Sequence, residues 1–225
     1  MIDPHASAEI VRAGPTAATA RTAAIALHGR GAAPSQIIDL MGAAGAPDVA
    51  VFAPAAAGNS WWPYSFLAPY PALEPHLLSA LLAVDRAFDA AHEEGFDDER
   101  IVLLGFSQGA CLALEYTARR GRKVKGVLGF SGGLLGTGDE DALPAADLND
   151  HVPKRFDYQA KLSGHDIHIG THEGDPLIPL RRVKESEAVL RSLGADCKAV
   201  IAPGPHHMLI DADLTALRRM VLATS

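Results

Sequence analysis

The sequence predicts an α/β fold with a mostly parallel central sheet and helices on both faces. Its strand-like runs are apolar throughout instead of alternating with polar residues, which is typical of strands buried on both faces. These runs alternate with helix-like segments, a pattern that favours parallel strands joined by helical crossovers. A length of 225 residues with 48 % hydrophobic content is enough for one substantial core. We therefore expect residues 1–225 to form a single domain.

Six short apolar runs, several of them leading into glycine, predict the strands of the sheet. In chain order they are TAAIALHG (22–29), VAVFAPA (49–55), RIVLLGF (100–106), KVKGVLGFSG (123–132), DIHIGTH (166–172) and DCKAVIAPG (196–204). Residues 1–20 precede the first run and include an Ala- and Thr-rich stretch. They are predicted to be an N-terminal extension or an edge strand.

Five segments with apolar residues at helical spacing lie between or after these strands. They are SQIIDLMGAA (35–44), EPHLLSALLAVDRAFDAAHEEG (74–95), GACLALEYTARR (109–120), PLRRVKESEAVLRSLG (179–194) and DLTALRRMVLA (213–223). The long segment 132–164 has little periodicity and many turn-forming residues instead. A loop of about thirty residues is uncommon in a compact domain unless it covers a site. We expect it to cover an active site at the carboxyl edge of the sheet, where ligands bind in open α/β sheets.

Charge and composition narrow the range of partners and compartments. The formal net charge of −7 disfavours nucleic acid or an anionic membrane surface as the main partner. The N-terminus lacks the features of a signal peptide, and no segment reaches the roughly 18 apolar residues that a membrane span needs. Cys111 and Cys197 are far apart in the sequence, which is typical of free thiols in a reducing compartment. We therefore expect a cytoplasmic protein without stable membrane insertion.

Two copies of LGFS fit G-x-S-x-G, the pattern that surrounds the nucleophile of many hydrolases, and they contain Ser107 and Ser131. A nucleophile elbow needs a strand before the serine and a helix after it. Ser107 follows a predicted strand and precedes the predicted helix 109–120. Ser131 follows a strand but runs into GGLLGTGDED, which is rich in glycine and has no helical stretch. We predict Ser107 as the nucleophile and Ser131 as a turn residue at the base of the 132–164 loop.

A nucleophilic serine needs a base that takes its proton and a carboxylate that orients the base. In this type of hydrolase the three follow in the order Ser, Asp or Glu, His. Asp175 stands after a predicted strand and before a proline turn, whereas Glu173 competes less well and Asp166 lies at the wrong end of the strand. After the last strand only PHHM offers a histidine. The pattern does not distinguish His206 from His207.

The remaining requirement is an oxyanion hole, formed by two backbone N–H groups that face the developing charge. Gln108 follows the nucleophile and begins a helix whose dipole favours negative charge, so its amide is one candidate. The second is the amide of Arg30, because the glycines on both sides of Arg30 let this amide turn inward. His28 precedes the nucleophile in the chain and is interpreted as a structural loop residue.

Taken together, the motifs LHGRGA, GFSQGA, GDPLIP and PGPHHM resemble those of the phospholipase/carboxylesterase family of α/β-hydrolases, which includes acyl-protein thioesterases and bacterial carboxylesterases. The resemblance extends from about Thr22 to Leu222 and implies an α/β-hydrolase fold. The closing G-x-x-H pattern of the family, matched to residues 204–207, places the catalytic histidine at His207. The same matching gives Ser107 and Asp175 the other triad positions and gives the oxyanion amides to Arg30 and Gln108.

Two departures from the family pattern stand out. His206 occupies a position where family members often carry a small residue, and the 132–164 loop is longer and more acidic than expected. The segment GNSWWPYSFLAP is similar to one that many bacterial members carry beside the active site. We expect four of its aromatic residues to line an acyl pocket, although ordinary core packing explains aromatic residues equally well. They are Trp61, Trp62, Tyr64 and Phe66.

These residues predict a serine carboxylesterase that hydrolyses small to medium esters or thioesters through an acyl-enzyme, with no cofactor, no metal and a small-molecule ester as its partner. A homodimer is compatible with the sequence. Lysophospholipase or acyl-protein thioesterase activity and a non-catalytic binding module are the alternatives. A dienelactone-hydrolase-like activity is associated with a cysteine nucleophile, whereas the elbow here holds serine.

A metal hydrolase is a further alternative, since four potential ligands lie close together in the sequence. They are His165, His168, His172 and Glu173. His168 and His172 share one face of a predicted strand but are about 13 Å apart along it, which is too far for one ion without other ligands. We therefore predict no metal site.

Overall fold

The computed structural model describes residues 3–46 and 48–222, and within them strands and helices alternate along the chain. The strands are β1 (Ile10–Ala13), β2 (Ala23–Leu27), β3 (Ala50–Pro54), β4 (Ile101–Phe106), β5 (Gly126–Phe130), β6 (Gly138–Asp139), β7 (Lys154–Arg155), β8 (Asp166–His172) and β9 (Asp196–Ala202). The α-helices are α1 (Pro34–Ala43), α2 (Tyr70–Glu93), α3 (Gln108–Arg120), α4 (Leu180–Ser192) and α5 (Asp211–Leu222). Residues 1 and 2 of the predicted N-terminal extension and Ala223 of the last predicted helix lie outside the described residues.

Seven of these strands form one sheet in the order β1-β3-β2-β4-β5-β8-β9. All neighbours are parallel except β1, which pairs antiparallel with β3 at the edge. The six apolar runs of the sequence are the six parallel strands, so the predicted α/β-hydrolase fold is confirmed. The strands β2, β3 and β5 are buried at every residue, as expected for strands covered on both faces.

The core consists of two apolar layers, one on each face of the sheet. Along β2, Ile25 and Leu27 belong to the layer under α2, α3 and α4, whereas Ala24 and Ala26 belong to the layer under α1 and α5. Successive side chains of a strand point to opposite faces, so every residue of β2 reaches one of the two layers. This arrangement fixes the carboxyl ends of the central strands, where the elbow of Ser107 follows β4.

Helix α2 begins at Tyr70, about one turn before the Glu74 that the sequence predicts as its start. The backbone N–H of Tyr70 donates to Oδ2 of Asp139 at 2.9 Å, and the side chain of Lys154 pairs with the same carboxylate. An orphan amide at a helix N-terminus is stabilised by such an acceptor. The first turn is therefore capped by a residue far away in the chain.

The segment 132–164, predicted to cover the active site, packs against the helical layer of α3 and α4. The carboxylate of Glu115 on α3 is fully buried and accepts hydrogen bonds from the amides of Leu135 and Gly136 at 2.7 and 3.1 Å. It also accepts from the hydroxyl of Tyr158 and pairs with Arg119. These hydrogen bonds attach the segment to α3. The segment therefore supports the helical layer, whereas the sequence predicted that it covers the active site.

We expect Glu115→Ala to lower the free energy of unfolding by about 3 kcal/mol, because it leaves the buried hydroxyl of Tyr158 and the buried amide of Leu135 without their acceptor and removes the partner of Arg119. Urea denaturation followed by circular dichroism measures this loss. Glu94→Ala is the matched control: it removes a carboxylate that pairs with Arg12 at the surface, and its expected cost is about 1 kcal/mol or less. Equal losses of unfolding free energy in the two variants would contradict this supporting role of Glu115.

Candidate active site

Ser107 stands at the apex of a sharp turn between β4 and α3. Its backbone has a φ of 55°, a conformation that costs energy for any residue other than glycine. The flanking glycines make this turn sterically allowed: a Cβ on Gly105 would lie 2.2 Å from the carbonyl oxygen of Gly109, and one on Gly109 would lie 2.1 Å from that of Leu27. The strained turn presents the hydroxyl of Ser107 beyond the carboxyl edge of the sheet.

The structure brings Ser107, His207 and Asp175 into one hydrogen-bonded chain. The hydroxyl oxygen of Ser107 lies 2.8 Å from Nε2 of His207. Nδ1 of the same ring lies 2.8 Å from Oδ2 and 3.1 Å from Oδ1 of Asp175. Since a carboxylate only accepts, Nδ1–H is the donor to Asp175, and Nε2 is then left to accept the proton of the serine. This is the tautomer in which an imidazole can act as a general base toward Ser107.

Asp175 is held in position by the turn that follows β8. Its Oδ1 accepts hydrogen bonds from the backbone amides of Leu177 and Ile178 at 2.9 and 3.0 Å, and its side chain is shielded from water. These bonds satisfy the carboxylate and fix its orientation toward His207. The turn after Asp175 thus holds the carboxylate that orients the ring of His207.

The two candidate histidines of the PHHM motif have different surroundings. His207 lies between Ser107 and Asp175, and its ring is 5.2 Å from that of Phe106. His206 is exposed, and its ring packs perpendicular to that of His172 at 5.3 Å. The structure therefore places His207, and not His206, within reach of the serine, where the resemblance also placed the base.

The second serine of the LGFS pair is buried and binds a different partner from that of Ser107. Ser131 is fully buried with a φ of 52°, and its hydroxyl donates to the carbonyl of Met208 at 3.2 Å. No α-helix follows it in the described residues until α4. Ser131 thus supports the loop that carries His207.

The backbone amides predicted for an oxyanion hole are those of Arg30 and Gln108. Both residues line the same cavity as Ser107. Gln108 is the first residue of α3, where an amide has no partner within the helix. Within residues 3–46 and 48–222 neither amide donates to a protein acceptor. Both donors are therefore available to an oxygen bound beside Ser107.

The cavity next to Ser107 has a volume of about 450 Å³. Its walls are mostly apolar and are formed by Gly29, Arg30, Ala32, Trp62, Ser65, Phe66, Phe106, Ser107, Gln108, Cys111, Leu177, Ile178 and His207. None of the described residues of the 132–164 segment is among them. A cavity of this size and character suits a small to medium apolar group.

Only two of the four aromatic residues predicted to line the pocket do so, Trp62 and Phe66. The prediction is wrong for Trp61, which is fully buried and donates its indole N–H to the carbonyl of His28 at 2.9 Å. It is also wrong for Tyr64, which is 46 % exposed and packs its ring against His76. The side-chain directions in this irregular segment follow from long-range contacts and are not readable from its sequence.

Seven of the described residues that line the cavity were not predicted from the sequence: Gly29, Ala32, Ser65, Phe106, Cys111, Leu177 and Ile178. The motif GDPLIP contained a signal for two of them, because Leu177 and Ile178 directly follow Asp175 in the turn that faces His207. Cys111 comes one helical turn after Ser107, so its place on the same side of α3 was also predictable. Burial raises the pKa of the Cys111 thiol to about 12, which keeps it protonated and unreactive near neutral pH.

The histidines considered as metal ligands point to separate partners. Nε2 of His168 lies 2.7 Å from Oδ1 of Asp213, and Oδ2 of the same carboxylate accepts from the amide of Ile210, just before α5. His165 contacts the carbonyl of Arg122 at 3.1 Å. Across the described ranges, no group of three His, Cys, Asp or Glu residues lies close enough together to hold a metal ion.

His28, which follows β2, supports the loop on which the cavity wall begins. Its Nδ1 lies 2.8 Å from the carbonyl of Gly29, and its Nε2 accepts a hydrogen bond from the amide of Ala56 at 3.0 Å. His5 has the same role next to it: Nδ1 accepts from the amide of Ala57 at 3.0 Å. Each ring is needed as an acceptor and must therefore be neutral at that nitrogen. Burial lowers the pKa of both imidazoles.

We expect the free energy of unfolding to fall as the pH drops below about 6.5, the ordinary pKa of histidine. His5 and His28 have lowered pKa values in the folded state, so the unfolded chain binds more protons in this window, and stability is lost on acidification. Urea titrations at pH 8, 6.5 and 5.5 measure the slope. In His5→Gln and His28→Gln the slope between pH 6.5 and 5.5 should be smaller, and curves parallel to that of the unchanged protein would contradict this cause.

No helix within residues 3–46 and 48–222 combines the length and the apolar character that crossing a membrane requires.

Comparisons with known proteins agree with this geometry. A family model described as Phospholipase/Carboxylesterase matches residues 8–224. A crystal structure described as a phospholipase/carboxylesterase from Dyadobacter fermentans is 34 % identical, with a TM-score of 0.81 over 96 % of this chain and 97 % of that one. The Bacillus cereus carboxylesterase has the same fold at 17 % identity, with a TM-score of 0.70 over 96 % of this chain and 94 % of that one.

A curated relative is similar over part of the chain only. Acyl-protein thioesterase 1 of Gibberella zeae is 31 % identical over 123 residues, which are 54 % of this chain and 47 % of that protein. The matched stretch thus spans about half the length of the relative.

Proposed function

The chain belongs to the phospholipase/carboxylesterase family, as its motifs predict, and we propose that it is a serine esterase that cleaves small to medium carboxylic esters or thioesters through an acyl-enzyme. The observation that carries this proposal is the chain of hydrogen bonds from Ser107 to His207 at 2.8 Å and from His207 to Asp175 at 2.8 Å. Membership of this family supports an enzyme that acts on ester bonds. The assignment of roles to individual residues is our proposal.

In the first half-reaction, the hydroxyl oxygen of Ser107 attacks the carbonyl carbon of the ester while Nε2 of His207 takes the hydroxyl proton. Asp175 stabilises the imidazolium that forms and does not take up a proton itself. The carbonyl oxygen becomes an oxyanion, and the amides of Arg30 and Gln108 donate hydrogen bonds to it. When the tetrahedral intermediate collapses, the bond to the alcohol or thiol breaks and His207 protonates the leaving group.

In the second half-reaction, water takes the place of the serine hydroxyl. Nε2 of His207 removes a proton from this water as its oxygen attacks the acyl carbon, and the same two amides stabilise the second oxyanion. Collapse breaks the bond to the oxygen of Ser107, which regains its proton from His207. The products are a carboxylic acid and the free enzyme, so no external oxidant, reductant or cofactor is required.

A non-catalytic binding module would not require this alignment. Ligand binding alone does not require a serine held at a φ of 55°. Nor does it require the hydroxyl of that serine to lie 2.8 Å from an imidazole that a buried carboxylate orients. Such strain and alignment are typical of catalytic sites. We therefore favour an enzyme over a binding module.

The acyl group fits the cavity best when it is short or of medium length. The volume of about 450 Å³ and the walls of Trp62, Phe66 and Leu177 favour an apolar acyl chain over a bulky polar one. Acyl-protein thioesterase activity is the second candidate, because the partial similarity to a fungal protein of that name favours it. The same catalytic chain serves oxygen esters and thioesters.

Hydrolysis of p-nitrophenyl esters from acetate to octanoate, and of a matched thioester series, tests the proposal. We expect turnover that is unaffected by EDTA, together with an acyl adduct on the peptide containing Ser107 after acid quenching and mass spectrometry. Loss of activity on chelation would favour a metal hydrolase. No turnover of any ester or thioester would leave the binding module as the better account.

A further inference from the structure

The irregular segment of residues 59–66, here called the wall segment, forms one side of the cavity. Three of its members, Trp62, Ser65 and Phe66, line the space next to Ser107. It begins at Asn59, which is the last residue of a 3₁₀ turn and has a φ of 58°. From there the chain continues without helix or strand until α2. No ladder of backbone hydrogen bonds holds its shape, so its polar main-chain groups must find other partners.

Gln108 supplies the first of these partners with its side-chain amide. Oε1 accepts from the backbone amide of Trp61 at 2.9 Å. Nε2 donates to the carbonyl of Trp62 at 2.8 Å. The side chain of Gln108 is almost completely buried, so these bonds are shielded from competing water. Both polar atoms of one amide are thus bound to two consecutive residues of the wall segment.

Arg30, whose side chain is exposed, provides the second attachment. Its guanidinium donates to the carbonyl of Pro63 at 3.4 Å and to that of Tyr64. The next residue, Gly31, donates its amide to the carbonyl of Asn59 at 2.7 Å. The planar guanidinium can contact two carbonyls at once, which a lysine ammonium on its flexible stem cannot do with the same rigidity.

The two residues proposed to supply the oxyanion amides therefore also hold the wall of the acyl cavity, each through its side chain. We infer that Gln108 and Arg30 are positioning residues that determine acyl-chain selectivity, by fixing Trp62 and Phe66 at a set distance from Ser107. Their amides face the reacting carbonyl, and their side chains hold the surface that the acyl chain touches. This inference rests on the proposed function, because selectivity is measured on the ester series.

Gln108→Met and Arg30→Met test this role, since both variants keep the backbone amide and approximate the length of the side chain. We expect the ratio of kcat/KM between the best and the poorest ester from acetate to octanoate to fall about fivefold in each variant, the equivalent of one net hydrogen bond. The change should appear more in the KM of the longer esters than in kcat. The double variant should lose more selectivity than either single one.

Matched controls remove similar side-chain bonds far from the cavity. Arg12→Met deletes a guanidinium that binds the carbonyls of Gly14 and Pro15 at 3.2 and 2.6 Å. Gln159→Met deletes an amide that donates to the carbonyl of Asp157 at 3.2 Å, and neither of these residues lines the cavity. Both controls should keep the selectivity ratio of the unchanged protein. If Gln108→Met does not fold, Gln108→Glu carries the same test, because it keeps the acceptor for Trp61 but lacks the donor to Trp62.

Two results would overturn the inference. One is an unchanged selectivity ratio in folded Gln108 and Arg30 variants. The other is a fall of the selectivity ratio in the control variants as large as that in the Gln108 and Arg30 variants. Labelling of the unchanged protein by a fluorophosphonate separates this failure from that of the proposed function. An unchanged protein that neither hydrolyses any ester nor reacts with the probe refutes the proposed function itself.

Discussion

Ser107→Ala is expected to lower kcat for p-nitrophenyl acetate by about a thousandfold or more. The variant lacks the oxygen that forms the acyl-enzyme, and neighbouring Cys111 cannot replace it because its buried thiol stays protonated. The fold should tolerate the change, since among residues 3–46 and 48–222 the hydroxyl is hydrogen-bonded to His207 alone. Steady-state kinetics, combined with circular dichroism to verify folding, measure the loss.

Ser131→Ala is the matched control for this experiment, because it removes the same hydroxyl from the second LGFS copy. That hydroxyl donates to the carbonyl of Met208 and does not face the substrate cavity, so we expect a loss of kcat smaller than about tenfold. Retained activity in Ser107→Ala together with inactivation of Ser131→Ala would reverse the assignment of the nucleophile.

His207→Ala is expected to lower kcat by about a thousandfold or more, whereas His206→Ala should change it less than about tenfold. Only His207 lies between the hydroxyl of Ser107 and the carboxylate of Asp175. His206 is exposed and contacts the ring of His172. The same ester assay compares the two variants at saturating substrate.

Chemical rescue with imidazole is a further control for the comparison of the two histidine variants. Exogenous imidazole should partly restore the activity of His207→Ala, because the space left by the ring opens onto the cavity. It should have little effect on His206→Ala. A larger loss in His206→Ala than in His207→Ala would show that the proton passes through the other ring.

The parallel strands were predictable because burial on both faces leaves a local signal. The runs at β2, β4 and β5 are apolar at nearly every position, and the helices between them carry their own periodicity. The start of α2 was predictable only in part. Pro71 is a residue typical of the first turn of a helix, whereas the acceptor of the Tyr70 amide is Asp139, a residue of the distant β6. Such an acceptor depends on tertiary structure and cannot be identified from the residues near Tyr70.

In the candidate site, too, some residues were predictable from local sequence and others depend on tertiary contacts. Strand and helix context distinguishes Ser107 from Ser131, and chain order leads to Asp175 and to the PHHM motif. The sequence could not tell His206 from His207, since neighbouring loop residues differ only in the direction of their side chains. Trp61 and Tyr64 were misplaced for the same reason. Trp61 turns inward because the carbonyl of His28 offers its indole a hydrogen-bond acceptor.

The central claim is that Ser107 is the activated nucleophile, and covalent labelling tests it most directly. Purified protein is treated with a fluorophosphonate probe, digested, and analysed by mass spectrometry for the labelled peptide. We predict a single label on Ser107, lost in Ser107→Ala and retained in Ser131→Ala. A label on Ser131, or no label in a preparation that turns over p-nitrophenyl acetate, would contradict the account.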